Sequence, residues 1–311
     1  MKFILCNRDE GHTGGDMIQL RGYEKALKQL GYEAVYLHPS NWYRPTHYYD
    51  EAWLFHCNFD WSYNQYRSIK EGGVPFRMFP IFYKGVYVNT EKGKILQMVE
   101  DAKSIHCLSS IERQEMIDEI GIPEHLQVKM SIIPNGVDES IFNISGQVPE
   151  SYPDGLAVNT YVISTGRFAG EKGFHHIINA CKRVNIPVMI IGATWEESYA
   201  ESLRRIWDGA VILNEMNQEH LSSYLRSAKL YVCAAENERN NLALIEGIAC
   251  GARPISSPGN RGNEWFSGIN IIDPKNTDAL SETIEKLYNT DMPRPAYNVP
   301  SWKDVMQMIL K

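Results

Sequence analysis

Leu230-Tyr231-Val232-Cys233-Ala234-Ala235-Glu236-Asn237-Glu238-Arg239-Asn240-Asn241-Leu242-Ala243-Leu244-Ile245-Glu246-Gly247-Ile248-Ala249-Cys250-Gly251 joins two apolar stretches through a short polar loop and runs on into Arg253-Pro254-Ile255. The first stretch, Leu230–Ala234, is short and apolar throughout, as a strand buried on both faces must be. The second, Asn241–Ala249, reads as a helix, and Arg253–Ser256 as the next strand. Strand, helix and strand within so few residues make a parallel crossover unit.

The same alternation extends outward in both directions. Strands are predicted at Thr160–Ser164, Val188–Ile191, Ala210–Leu213 and Ile269–Ile272. Helices are predicted around Gly173–Val184, Glu196–Ile206, Gln218–Arg226 and Asp278–Tyr288. Upstream, the predicted strands are Lys2–Cys6, Ala34–Leu37, Ala52–Cys57, Val74–Phe79, Ser104–Leu108 and Ser131–Ile133, with helices at Met17–Leu30, Glu91–Ala102 and Ile111–Ile120. The fold class is therefore α/β, with two doubly wound, Rossmann-like parallel sheets. Gly146–Asn159 holds two prolines and two glycines without helical period, and is the expected linker. The division expected is 1–150, 151–295 and a last amphipathic helix within 296–311, crossing back to the first domain. Two such domains are expected to face a central cleft at the carboxyl ends of their strands.

Composition narrows the function. The 311 residues can bury cores without disulfides. There are 31 basic and 38 acidic residues, a net charge of −7. Divided at residue 150, the halves hold 15 and 16 basic against 20 and 18 acidic residues. Neither half has the positive footprint of a dedicated nucleic-acid binder. No apolar run reaches the ~18–20 residues of a membrane span. Met1–Cys6 is too short for a signal-peptide core. The six cysteines are scattered without a Cys-x-x-Cys pair, so a reduced, cytoplasmic protein is expected.

The polar loop carries the chemistry. Glu238 and Glu246 are separated by seven residues, with the first on the strand-to-helix loop and the second on the exposed start of the helix. Free N–H groups at a helix start attract anions, and carboxylates accept hydrogen bonds from ligand hydroxyls. Spacing alone more readily describes a helix with two solvated glutamates. A second element, Ser164-Thr165-Gly166-Arg167-Phe168-Ala169-Gly170-Glu171-Lys172-Gly173, follows a buried strand and places Arg167 and Lys172 on a glycine-rich turn.

Together with Ile132-Ile133-Pro134-Asn135-Gly136-Val137-Asp138, Gly262-Asn263-Glu264 and the closing Ser301-Trp302-Lys303, these segments resemble the nucleotide-sugar glycosyltransferases of family 4, the group 1 type with the GT-B fold. The resemblance implies that Arg167 and Lys172 grip the donor diphosphate and stabilise it as leaving group. It implies that Glu238 contacts the donor sugar and that Glu246 holds the ribose hydroxyls. Gly166, Asn240, and the backbone N–H groups of Asn241 and Leu242 would bind the donor at the helix start. The family retains anomeric configuration and generally needs no metal or cofactor beyond its nucleotide-diphosphate sugar, of UDP or GDP type. The sequence likewise has no Asp-x-Asp and no His/Cys ligand spacing.

Arg239-Asn240-Asn241 departs from the family's Gly-aromatic-Gly, and Arg239 is expected to reshape the sugar pocket. Asn is the residue that best replaces glycine at φ > 0. In the first half, Gly11-His12-Thr13-Gly14-Gly15-Asp16 stands in the place of the family's glycine-rich first loop, with Gly14 and Gly15 towards the donor. It is not a G-x-G-x-x-G. The family's His after the fourth strand is missing from Phe79-Pro80-Ile81-Phe82-Tyr83. His56, at the end of Ala52–Cys57, is the alternative. Between Trp42 and Tyr87 lie 15 of the chain's 34 Phe, Trp and Tyr residues. Those on predicted loops, near Trp42–Tyr49 and Phe59–Tyr66, suit an acceptor platform, because rings stack on sugars and on bases alike. The acceptor-side residues expected are His12, Asp16, His56 and Trp61.

The expected activity is transfer of a sugar from a nucleotide-diphosphate sugar to a hydroxyl of a saccharide or glycolipid. Two alternatives stand beside it: transfer to a hydroxylated nucleic-acid base, and non-catalytic binding of sugar nucleotides or glycans on the same scaffold.

Overall fold

A computed structural model describes residues 1–8, 14–37, 48–87, 90–153, 155–290 and 297–311. The chain forms two compact units, 1–136 with 300–311, and 137–299.

The first unit runs β1 (Lys2–Cys6), α1 (Gly15–Gln29), β2 (Glu33–Leu37), β3 (Glu51–Phe55), α2 (Asp60–Glu71), β4 (Phe76–Phe79), α3 (Lys92–Asp101), β5 (Ser104–Cys107), α4 (Ser110–Ile120), α5 (Glu124–Gln127) and β6 (Met130–Ile132). Its sheet is parallel in the order β2-β1-β3-β4-β5-β6. Alternate residues of each strand face opposite sides. Ile4, Cys6, Ala52 and Leu54 join one aliphatic cluster with Ile95, Met98 and Met116 of the helices. Phe3, Trp53, Phe55 and Phe79 build an aromatic layer with Tyr23 of α1 on the other face. The last helix of the chain, Trp302–Leu310, belongs to this unit and places Trp302 against Tyr23. A Cβ on Gly22 would lie 2.4 Å from the Trp302 ring, so glycine lets the two helices approach.

The second unit runs β7 (Val162–Thr165), α6 (Phe174–Val184), β8 (Val188–Gly192), α7 (Glu197–Arg204), β9 (Ala210–Asn214), α8 (Gln218–Ser227), β10 (Leu230–Cys233), α9 (Leu242–Ala249), β11 (Arg253–Ser256), β12 (Asn270–Ile271) and α10 (Thr277–Tyr288). The helix already described at 302–310 is α11 in chain order. The sheet order β12-β11-β10-β7-β8-β9 is again parallel. Val162, Val188 and Val232 face one apolar cluster, and Ile163, Met189 and Tyr231 the other.

The stretch 146–159, expected as a linker, lies inside the second unit. Arg226 explains why: its buried guanidinium donates to the carbonyls of Ile141 and Gln147 at 2.9 and 2.8 Å, and Tyr152 and Leu156 pack on the core. Phe59–Tyr66, expected as a loop, is the start of α2. The strand expected to end at Cys57 ends at Phe55, because His56 turns into the left-handed region at φ 65°.

Candidate functional site

In doubly wound sheets, ligands bind outside the carboxyl ends of the strands where successive connections leave in opposite directions. In the second unit that point lies between β7, which leads to β8 and β9, and β10, which leads to β11 and β12.

Beyond β7 the backbone turns tightly. Gly166 has φ 149° and donates from its N–H to the Ile191 carbonyl at 3.0 Å. The buried Tyr231 hydroxyl lies 3.1 Å from Thr165 Oγ1, fixing the strand end. A 3-10 turn, Gly170–Lys172, then closes at Gly173 with φ 68°. A Cβ there would lie 2.4 Å from the Ala234 carbonyl oxygen, so the turn presses directly on the end of β10. The Glu236 N–H donates to the Glu171 carbonyl at 2.9 Å and clamps the same contact. This clamp delivers the Lys172 ammonium to the Glu238 carboxylate as an ion pair, with side chains only 16% and 17% exposed.

Glu238 is held from its other side by the loop after β11. Its N–H donates to the Gly259 carbonyl, and its carbonyl accepts from the Arg261 N–H, at 2.9 and 2.8 Å. Asn260, buried, is the hub of that loop. Its Oδ1 accepts from the N–H groups of Asn241 and Gly262, and its Nδ2 donates to Ser256 Oγ and Asn263 Oδ1. Asn241 caps α9, accepting from the Leu244 N–H at 2.8 Å. Among the described residues, the Leu242 and Ala243 N–H groups have no acceptor. They are the open anion-attracting positions of this helix. One turn on, Glu246 is buried, and burial pushes its carboxyl up to about 8. No described side chain hydrogen-bonds it.

These positions correct several expectations. Glu246 was expected on an exposed helix start and is buried. The Asn241 N–H is taken by Asn260, which leaves Leu242 and Ala243 rather than Asn241 and Leu242 for an anion. Arg239 is buried beside Asn237, donating to its Oδ1 at 2.7 Å. Asn240 is buried as well, and residues 239–241 use no left-handed backbone. Arg167 and Lys172 have different partners. The Arg167 guanidinium meets Glu171 at 3.1 Å and lies 5.0 Å from the Trp195 ring centre, whereas Lys172 meets Glu238. Sequence reasoning missed Asn260 and Trp195. The signal for the first was Ser256-Ser257-Pro258-Gly259-Asn260, a turn-forming cluster straight after a buried strand.

The first unit has its own switch point, between β1 and β3. Gly14 precedes α1 and Gly15 opens it. A Cβ on Gly14 would lie 2.0 Å from Arg8 Nη2, so glycine leaves room for the Arg8–Asp16 pair. Arg8 donates twice to the Asp16 carboxylate, at 2.7 and 2.6 Å, Asn7 Nδ2 donates at 3.2 Å, and His56 Nε2 lies at 3.3 Å. Burial by itself would raise the Asp16 carboxyl. The hydrogen bonds and charges of His56 and Arg8 outweigh it and hold the group well below the usual carboxylate range. Trp61, in the first turn of α2, stacks on Phe59, with ring centres 5.5 Å apart. The structure thus brings Asp16, His56 and Trp61 together. His12 and the aromatics of 42–47 lie outside the described residues. No three His, Cys, Asp or Glu side chains converge as metal ligands, and no helix is long and apolar enough to cross a membrane, among the described residues.

Residues 157–298 match the family model for glycosyl transferases group 1. The second unit is a group 1 glycosyltransferase domain. The chain as a whole has the GT-B fold. It superimposes on HepE from Anabaena, solved with UDP and glucose, with TM-score 0.73 and 13% identity over 99% of this chain and 94% of that one. Sucrose-phosphate synthase from Thermosynechococcus elongatus gives 0.72 and 15% over 98% and 92%. A UDP-forming α,α-trehalose-phosphate synthase from Burkholderia xenovorans gives 0.69 and 16% over 99% and 95%. No curated protein sequence matches the chain.

Proposed function

We propose that the chain transfers a sugar from a nucleotide-diphosphate sugar to a hydroxyl of a saccharide or glycolipid, with retention of configuration and without a metal ion. The observation that carries this reading is the convergence of Lys172, Glu238 and the open N–H groups of Leu242 and Ala243 at the switch point of a group 1 glycosyltransferase domain. An arriving diphosphate competes with Glu238 for Lys172 and takes the helix start as a second anchor. Charge developing on the leaving diphosphate is met by a cation already in place. The released Glu238 carboxylate is then free to accept hydrogen bonds from the sugar, and Glu246 accepts those of the ribose. Arg167, Gly166 and Asn240 complete the donor set of the second unit; in the first unit, Gly14 and Gly15 are assigned to the donor and Asp16, His56 and Trp61 to the acceptor.

UDP is the first nucleotide to test, because similar structures were solved with it. A ligand at 100 times its Kd stabilises by about 2.7 kcal/mol, so a thermal-shift panel of nucleoside diphosphates identifies the base. Release of nucleotide from the matching sugar donor then measures transfer, and proton NMR of the new anomeric centre reads its configuration. Lys172→Ala and Glu246→Ala are expected to cut turnover at least a hundredfold while the protein stays folded. Wild-type turnover in both would overturn the proposal. Nucleotide binding without sugar release would instead favour a non-catalytic binder.

A further inference from the structure

Strand β9 ends the second sheet and pairs with β8 alone among the described residues. β8 is buried at every residue, whereas Ala210, Val211, Ile212 and Leu213 of β9 are each half-buried and Asn214 is exposed. Both faces of β9 pack on apolar clusters, Ala210 and Ile212 on one and Val211 and Leu213 on the other. The remaining exposure lies along its free side. Soluble proteins guard such edges with charge, proline, a bulge or brevity. The other edges here are guarded: β12 has two residues, β6 has three, and β2 opens on Glu33, paired with Lys2 at 3.1 Å. β9 is Ala-Val-Ile-Leu-Asn, five residues with neither charge nor proline.

The ladder fixes which backbone groups face outward. The Val188 N–H donates to the Gly209 carbonyl at 3.3 Å. Gly209, Val211 and Leu213 therefore turn their polar groups to β8, and Ala210, Ile212 and Asn214 turn theirs away. The Ala210 N–H is taken by the Trp207 carbonyl at 3.1 Å. Among the described residues, the N–H groups of Ile212 and Asn214 and the carbonyls of Ala210 and Ile212 have no backbone partner. A second β9 running antiparallel, Ile212 opposite Ile212, satisfies all four. Each Ile212 N–H meets the partner's Ile212 carbonyl, and each Asn214 N–H meets the partner's Ala210 carbonyl. A two-fold axis through Ile212 generates this pairing.

Charge selects the same orientation. Helix α7 begins beside the carboxyl ends of β8 and β9 and returns to the amino end of β9. Glu196 and Glu197 stand at its start and Arg204 and Arg205 at its finish, all exposed. The exposed Glu215 and Glu219, just after β9, add to the acidic end. Asp208, and Glu201 at 3.2 Å from Arg205, temper the basic end without reversing it. Antiparallel pairing sets the acidic end of each copy against the basic end of the other, whereas a parallel neighbour sets like against like.

From the unguarded edge, its outward hydrogen-bonding groups and the polarity of its charges, we infer that β9 is the interface of a two-fold homodimer of this chain, joining two second-unit sheets into one. β8 separates β9 from the switch point, so the pairing draws on none of the residues assigned to the donor.

Sedimentation velocity of the full chain over a dilution series tests this. A species of twice 35.6 kDa that dissociates on dilution is expected. Amide hydrogen exchange should show Ile212 and Asn214 protected in the concentrated sample and exchanging freely in the dilute one. Ile212→Lys, which places a charge in the ladder, should weaken the dimer at least tenfold. Because that residue also packs on the core, exposed charges supply the second test. An Arg204→Glu/Arg205→Glu chain and a Glu197→Lys/Glu215→Lys/Glu219→Lys chain should each dimerise at least tenfold more weakly than wild type. Mixed together, the two should form a heterodimer tighter than either homodimer. A single-chain mass at every concentration, a dimer that leaves the Ile212 and Asn214 amides exchanging freely, or charge variants that pair no better mixed than alone would overturn the inference. Nucleotide release from a sugar donor is measured on the same samples; its absence in wild type counts against the proposed transfer and leaves the dimer standing.

Discussion

Glu246→Gln separates what the donor domain needs for stability from what it needs for binding. The wild-type carboxyl is buried, lacks a described hydrogen-bond partner, and is pushed up to about 8 by that burial. In the unfolded chain it titrates near 4.5. The folded state therefore binds the proton more tightly, and stability is lost as pH rises from the unfolded value through the folded one. Each pH unit in that window costs about 1.4 kcal/mol, so three units, from pH 5 to 8, cost up to about 4 kcal/mol. Water reaching the carboxyl lowers this figure.

Glutamine keeps the shape and removes the titration. The melting temperatures of wild type and Glu246→Gln should nearly coincide at pH 5. They should then separate in favour of the variant as pH rises. At about 2–4 °C per kcal/mol for a domain of this size, the gap at pH 8 is roughly 5–15 °C. Calorimetry or near-UV circular dichroism across pH 5–8 reads it. Above pH 8, where the wild-type group is a carboxylate, the same variant should lose donor affinity, because a neutral amide accepts hydroxyl hydrogens less strongly than a carboxylate. A gap that stays constant with pH, or that closes as pH rises, would falsify the assignment of Glu246 as a buried and unpaired acid.

Gly173→Ala puts a methyl 2.4 Å from the Ala234 carbonyl at φ 68°. It should lower stability by about 1–3 kcal/mol and cut turnover tenfold or more by shifting Lys172, read by denaturant melts alongside nucleotide release. Asn260→Ala removes four side-chain hydrogen bonds and leaves the Asn241 and Gly262 N–H groups unpaired. A loss of about 2–4 kcal/mol is expected, with weaker nucleotide binding; full binding would show that the hub does not position α9. In the first unit, burial and then the Arg77 charge push His106 down to about 4. Its folded pKa lies below the unfolded 6.5, so stability should fall by up to about 3 kcal/mol as pH drops from 6.5 to 4. His106→Gln should flatten that dependence in acid titrations followed by tryptophan fluorescence.

The α/β alternation was legible because buried parallel strands are short apolar runs with nothing to confuse them. Glu238, Lys172 and Glu246 were legible as residues because the strand-to-helix loops at 164–173 and 236–242 are punctuated by Gly, Asn and charge. Their partners were not. Lys172 meets Glu238, 66 residues away, only because Gly173 lets one backbone press on another. No local pattern records that. Arg226 was read as an ordinary helix residue, yet its bonds to carbonyls near 141 and 147 draw the expected linker into the second unit. His56 looked like a residue inside the strand Ala52–Cys57, since periodicity says nothing about one residue with positive φ.

The sequence Arg239-Asn240-Asn241 looked like a loss, because it lacks the glycines that allow a backbone to approach a ligand closely. The structure shows where close approach has gone. Gly259 faces the carbonyls of Glu236 and Ala235, where a Cβ would lie 2.3 and 2.4 Å from the two oxygens. Gly262 faces Asn240 at 2.8 Å, and Gly173 faces Ala234 at 2.4 Å. Three glycines on neighbouring loops thus pack tightly around a segment that itself carries side chains. That segment can then use them: Asn241 caps the helix, and Arg239 stays buried beside Asn237. Restoring glycine at 241 should therefore weaken the site rather than mend it, because the side-chain cap on Leu244 is lost, at roughly a few tenths of a kcal/mol, while the three close contacts need no further room.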